Sequence, residues 1–222
     1  MSTRPELQVT ESDLPFLSAG WRALTGAGGA GGGAAGRWFG ALTRRYRGPD
    51  RHYHNLRHVA EMLRLLGQFE AEAADYDALR LAAWFHDAVY DTRSRTNEEE
   101  SAALAGRAMA ELGVPPGRAE AVRRLILATK RHEAEGDVPD LGLFLDADLS
   151  ILGAPGETYL AYSEAIRKEY SWVPEAAYRE GRLRVLTNFL GRERLYYTGP
   201  LAERLEARAR SNLSNEIRAL AS

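Results

Sequence analysis

The chain has 222 residues, 45% hydrophobic and 27% charged, the balance of a globule with one sizeable core. Acidic residues outnumber basic ones 31 to 29, so the net charge of -2 gives no electrostatic footprint for a nucleic-acid polymer or an anionic membrane. With no cysteine, the chain can form no disulfide, thiolate zinc site, iron–sulfur cluster or cysteine nucleophile.

Ala and Leu number 64 against 12 Val and Ile, a tilt that predicts an all-α chain. The helical punctuation divides it into about nine or ten helices, expected to form one domain over residues 1–222. The start, MSTRPELQVT, carries no apolar signal segment, and no apolar run nears the roughly 18 residues of a spanning helix, so a cytoplasmic location is expected. After a short N-terminal helix, Gly26–Gly36 (GAGGAGGGAAG) predicts a flexible loop, because each glycine costs a helix about 1 kcal/mol against alanine. A phosphate cradle would need Lys-Ser or Lys-Thr after the glycines, and Arg37-Trp38 stands there instead.

RHYHNLRH follows, holding His52, His54 and His58. A helix starting near Asn55 sets His54 and His58 about one turn apart on one side. Leu79–Tyr90 reads as a buried helix containing Trp84-Phe85-His86-Asp87. Thr96 and Glu99 have the spacing of a capping box ahead of Ser101–Leu112, with Gly113 in place for a left-handed C-cap. Leu141–Leu152 is expected to end the same way at Gly153, before Pro155. Pro200 opens a last helix, about Leu201–Leu220, with Leu201, Leu205, Leu213, Ile217 and Leu220 on one face.

The polar residues inside apolar segments carry the chemical information. An unpaired carboxylate in an apolar interior is costly, so it is paired, protonated or metal-bound. His86, Asp87 and one aspartate of Asp146-Ala147-Asp148 all fall in such segments, and one divalent cation would satisfy the three together. Imidazole plus carboxylate suits Zn, Mn, Fe, Co or Ni and also admits Mg. A His-Asp dipeptide alone is common and more often structural. The informative feature is the order: a His, then His-Asp, then an Asp in a helical core segment.

That order, with RxYHNxxH, WFHDAVYD, NEExSA, LDADLxILG and IRKEY across about residues 51 to 190, resembles the HD superfamily of metal-dependent phosphohydrolases, and most closely a bacterial family of predicted HD phosphohydrolases. The resemblance implies an HD-domain-like helical bundle with metal ligands His58, His86, Asp87 and Asp148. Asp148 is favoured over Asp146 by its Ala-Asp-Leu context, and residues two apart on a helix diverge by about 200°, so only one of the pair can join. Asp146 is then a supporting or capping residue. YHNLRHVAEM resembles the phosphodiesterase segment whose first His donates a proton, which assigns that role to His54. His132 is the one extra histidine between His86 and Asp148, too few for the dinuclear branches built on added histidines.

The function so implied is hydrolysis of a phosphate ester of a small phosphorylated molecule, a nucleotide among the candidates, by a monomer or homodimer. A water acidified by the ion attacks phosphorus, Asp87 or Asp148 orients it, and His54 protonates the leaving oxygen. Arg51, Arg57, Lys130 and His132 are the candidate substrate contacts, and Glu98 is either a water or substrate contact or a carboxylate favoured by a helix N-terminus. Asp91 is either a support for the site or a helix end. Arg167, Glu169, Tyr170 and Arg182 also resemble family positions, and fit a structural ion-paired cluster at least as well. Guanosine polyphosphate hydrolysis and a non-catalytic metal-containing ligand sensor are the alternatives.

Overall fold

The computed structural model describes residues 7, 10–26, 32–134, 136 and 138–221. Among them run ten α-helices and no strand: α1 (Asp13–Thr25), α2 (Gly32–Arg45), α3 (Leu56–Leu66), α4 (Tyr76–Phe85), α5 (Asn97–Leu112), α6 (Pro116–Ala128), α7 (Leu141–Asp148), α8 (Gly156–Glu169), α9 (Glu175–Leu190) and α10 (Gly199–Ala221). The all-α expectation holds. No helix of the described residues is long and apolar enough to cross a membrane.

α3 lies at the centre, against α1, α4 and α7, while α5 and α6 pair and close over α4. The aromatic heart of the core is Trp21 edge-on to Trp84, with ring centroids 5.3 Å apart. α10 packs on α9 and on the 3-10 turn Leu149–Gly153 that continues α7.

Four local expectations are corrected. The glycine-rich stretch is not a loop over all of 26–36. Gly26 closes α1 in the left-handed region (φ 61°), residues 27–31 lie outside the described residues, and α2 begins at Gly32. Tertiary packing overrides the glycine propensity there: Ala35 is buried, and its carbonyl accepts the Trp21 indole N–H at 2.9 Å. The capping box at α5 is not made. Thr96 Oγ1 donates to Glu100 instead, and Glu99 turns to Lys130. Gly153 is not a left-handed cap, since positive φ among the described glycines occurs at Gly26, Gly113 and Gly136. Its smallness is needed for packing, because a Cβ there would stand 2.7 Å from Leu205 Cβ. Finally, α4 stops at Phe85, so His86 and Asp87 lie in the turn beyond it rather than inside a helix.

α1 is pinned to α3 through Asp13, which is fully buried and meets Arg64 at 2.6 Å and Arg57 at 3.2 Å. Burial pushes its carboxyl up, but the Thr10 amide and the two guanidiniums outweigh that and bring it down to about 2.

Candidate metal centre

Three short stretches of backbone aim the site. Asn55 caps α3 with its side-chain oxygen on the Arg57 amide at 2.8 Å, while its Nδ2 donates to the His52 carbonyl at 3.1 Å. This fixes where α3 starts and carries His58 into the core, 3% exposed. Past α4, the chain turns with the His86 amide still bonded to Ala82. Ser101 grips both the amide and carbonyl of Val89, at 3.0 and 3.2 Å, and holds that turn. α7 then ends on Asp148.

The donor atoms converge. His58 Nε2 lies 3.1 Å from His86 Nε2 and 3.1 Å from Asp148 Oδ1. His86 Nε2 lies 3.0 Å from Asp87 Oδ2 and 3.6 Å from Asp148 Oδ1. Asp87 Oδ2 is 3.9 Å from His58 Nε2. A cation with metal–ligand distances of about 2.0–2.2 Å spaces its ligands roughly 3.0–3.5 Å apart, and these separations fall around that range. His58, His86 and Asp148 form a group able to hold a metal ion, with Asp87 beside it.

The protonation chemistry fits the same occupant. The Ala83 carbonyl, 3.1 Å from His86 Nδ1, can only accept, so Nδ1 carries a proton and Nε2 is the atom aimed at the cluster. It lies against another imidazole nitrogen and carboxylate oxygens, an arrangement that calls for positive charge among them, whether a cation or a second proton on His86. Burial works against charging His86, yet the carboxylates of Asp87 and Asp148 prevail and hold its pKa well above the ordinary value. The carboxyl of Asp148, opposed by burial, is held well below its usual range by His86 and by hydrogen bonds from His132 and His58.

Asp146 points away from this cluster. Completely buried, it accepts the amides of Tyr197 at 2.7 Å and Thr198 at 2.8 Å, and the Thr198 hydroxyl at 2.6 Å, just before α10. The two aspartates of α7 thus diverge as helical geometry requires.

His54 stands beside the donors, its ring centroid 6.1 Å from that of His58. Its Nδ1 donates to Glu169 Oε2 at 2.7 Å, so Nε2 is the ring nitrogen not engaged by that carboxylate. Glu169, from the end of α8, also accepts the amides of Tyr53 and His54 at 2.7 and 3.0 Å and the Tyr90 hydroxyl at 2.8 Å. Burial lowers the His54 pKa, but Glu169 and Asp87 more than reverse it. The family-like IRKEY segment marks Glu169 but not its role, because nothing local identifies a carboxylate more than a hundred residues away as the partner of His54.

Each of the expected substrate cations already has partners within the protein. Arg51 donates to the carbonyls of His54 at 2.9 Å and Asp87 at 2.7 Å, and so staples the two motif segments together. Arg57 belongs to the Asp13 anchor and to Glu61 at 2.7 Å. Lys130 pairs with Glu99 and donates to the Arg95 carbonyl. His132 does reach the site, with Nε2 2.8 Å from Asp148 Oδ2. Glu98 is half-buried in the first turn of α5, next to Glu99 and Glu100. Asp91 organises its own loop through the Arg93 amide and Asn97. Arg167 bonds Glu175 and the Tyr170 carbonyl, and Arg182 makes a buried pair with Glu216 at 2.8 Å, so both are structural.

A cavity of about 510 Å³ lies on the far side of Tyr90 and Glu169, the neighbours of His54, and is lined by these with Arg45, Arg51, Arg93 and Trp172 among others, but by none of the donor side chains. No protein-family model, curated protein or solved structure gives a significant match to the chain.

Proposed function

We propose that the chain is a metal-dependent phosphohydrolase of the HD type, acting on a phosphate ester of a small phosphorylated molecule. The observation that carries this reading is the meeting of donor atoms of His58, His86 and Asp148, with Asp87 against His86 and with His54 and its carboxylate partner nearby. A divalent cation held by those four side chains would supply Lewis acidity toward a phosphoryl oxygen and bring the pKa of water from about 15.7 to nearer 7. Asp87 and Asp148 keep their carboxylates ionised there and can orient the attacking water. His54, oriented by Glu169 and held in its charged form, delivers a proton from Nε2 to the leaving oxygen. Glu169 stabilises the imidazolium without touching the substrate.

Metal analysis of the purified protein, followed by a panel of phosphoesters, tests the reading. A bound divalent ion together with metal-dependent turnover is the expected result. His86→Ala should lose metal and turnover together, whereas His54→Ala should keep the metal and slow turnover by about 100-fold or more. A wild-type protein that takes up no Mn, Zn, Fe, Co, Ni or Mg overturns it, and a metal-loaded protein inert toward every phosphoester favours a ligand sensor.

A further inference from the structure

His132 is held in a backbone conformation uncommon outside glycine. It and Asp140 are the two non-glycine residues with positive φ among those described, and His132 has φ 51°. Its carbonyl receives two donors from the far end of the chain, Arg192 Nη1 at 2.6 Å and the Tyr197 hydroxyl at 3.1 Å. Arg192 Nη2 also takes the Arg131 carbonyl at 2.7 Å. The Arg192 guanidinium lies over the Phe189 ring at 4.6 Å, and that ring meets the His132 imidazole edge-on at 6.0 Å. Tyr197 is fixed in turn, since its amide bonds Asp146 at 2.7 Å and a Cβ on Gly142 would stand 2.9 Å from its own Cβ.

We propose that Arg192 and Tyr197 are positioning residues for the ion site, acting by clamping the His132 backbone so that its imidazole N–H occupies Asp148 Oδ2. The inference rests on the four-ligand reading above. A carboxylate oxygen only accepts, so His132 Nε2 must carry the proton in this contact. With Oδ2 taken at 2.8 Å, Asp148 offers a single oxygen, Oδ1, toward His58 and His86. The clamp therefore fixes Asp148 as a one-oxygen ligand in a set orientation, the task that supporting hydrogen bonds perform around metal ligands.

The test is titration of the metal-stripped protein with Co²⁺, read by calorimetry and by the visible absorption of the bound ion. Arg192→Met keeps a stem over Phe189 but removes both donors, and Tyr197→Phe removes one hydroxyl with minimal risk to the fold. Each should weaken Co²⁺ binding, by about 10- to 100-fold for Arg192→Met, and alter the Co²⁺ spectrum, with Arg192→Lys between it and wild type. Because the clamp acts through the imidazole, adding Arg192→Met or Tyr197→Phe to His132→Ala should cause no further loss. Losses that add to that of His132→Ala, or folded variants that bind Co²⁺ as wild type does, overturn the clamp. A wild-type protein that binds no Co²⁺ overturns the four-ligand reading and the clamp with it.

Discussion

Glu169 is the side chain whose charge organises His54. It is 3% exposed, yet it stays ionised because two backbone amides, an imidazole N–H and a tyrosine hydroxyl converge on it. Burial would raise its pKa, but His54 and those amides bring it down to about 2 from an ordinary 4.5. A carboxyl with a depressed folded-state pKa stabilises the protein above its unfolded value and loses that contribution as pH falls. The effect amounts to about 3 kcal/mol, given up between about pH 4.5 and pH 2. Glu169→Gln keeps the shape and removes the charge. It should flatten that part of the acid-unfolding curve and lower the His54 pKa, followed by NMR titration of the His54 ring. An unmoved His54 titration would assign its elevation to Asp87 and Asp148 alone.

At the level of helices, close approach decides more than propensity. The turn Leu149–Gly153 meets α10 so closely that a methyl group on Gly153 would stand 2.9 Å from the Leu205 carbonyl oxygen as well as against its side chain. Gly153→Ala should therefore cost about 1–3 kcal/mol in urea unfolding, the range for overpacking a filled site. The same substitution at exposed Gly106, where a Cβ meets nothing, should be neutral or stabilising. This contact explains a misreading of the sequence. A glycine before Pro155 looks like a helix cap, and only the partner helix fifty residues on reveals that size is what matters. The start of α3 was legible because Asn55 is a local cap. The end of α4 was not, because the apolar run continues past Phe85 while Arg51 and Ser101, from other elements, take the turn's backbone groups.

Across the whole molecule, an ion at the proposed site would tie α3, the end of α4 and α7 together, so binding and folding are linked. At about 100-fold excess over its Kd, such an ion stabilises by about 2.7 kcal/mol, which for a chain of this size raises Tm by roughly 5–10 °C. Thermal unfolding of the metal-stripped protein with and without Mn²⁺ or Co²⁺ measures it. His86→Ala should melt at one temperature in both conditions, and a metal-dependent shift surviving in that variant would place the ion elsewhere. The all-helical architecture and the grouping of His58, His86 and Asp148 could be read from composition and motif order, since each of the three stands in a recognisable segment. The partner of Glu169 and the places of Arg192 and Tyr197 could not, because these arise only where distant segments meet.

The two faces of α7 have a consequence for biosynthesis. Asp148 looks toward the histidines and Asp146 toward residues 197 and 198, so one eight-residue helix is anchored from both sides. A nascent chain that has emerged only as far as Asp148 already carries His58, His86 and both aspartates. It still lacks the amides and hydroxyl that Asp146 needs, and the donors that hold His132. Full-strength binding of an ion at the proposed site would thereby wait for residues 192–198, and a product terminated before them should hold the ion more weakly.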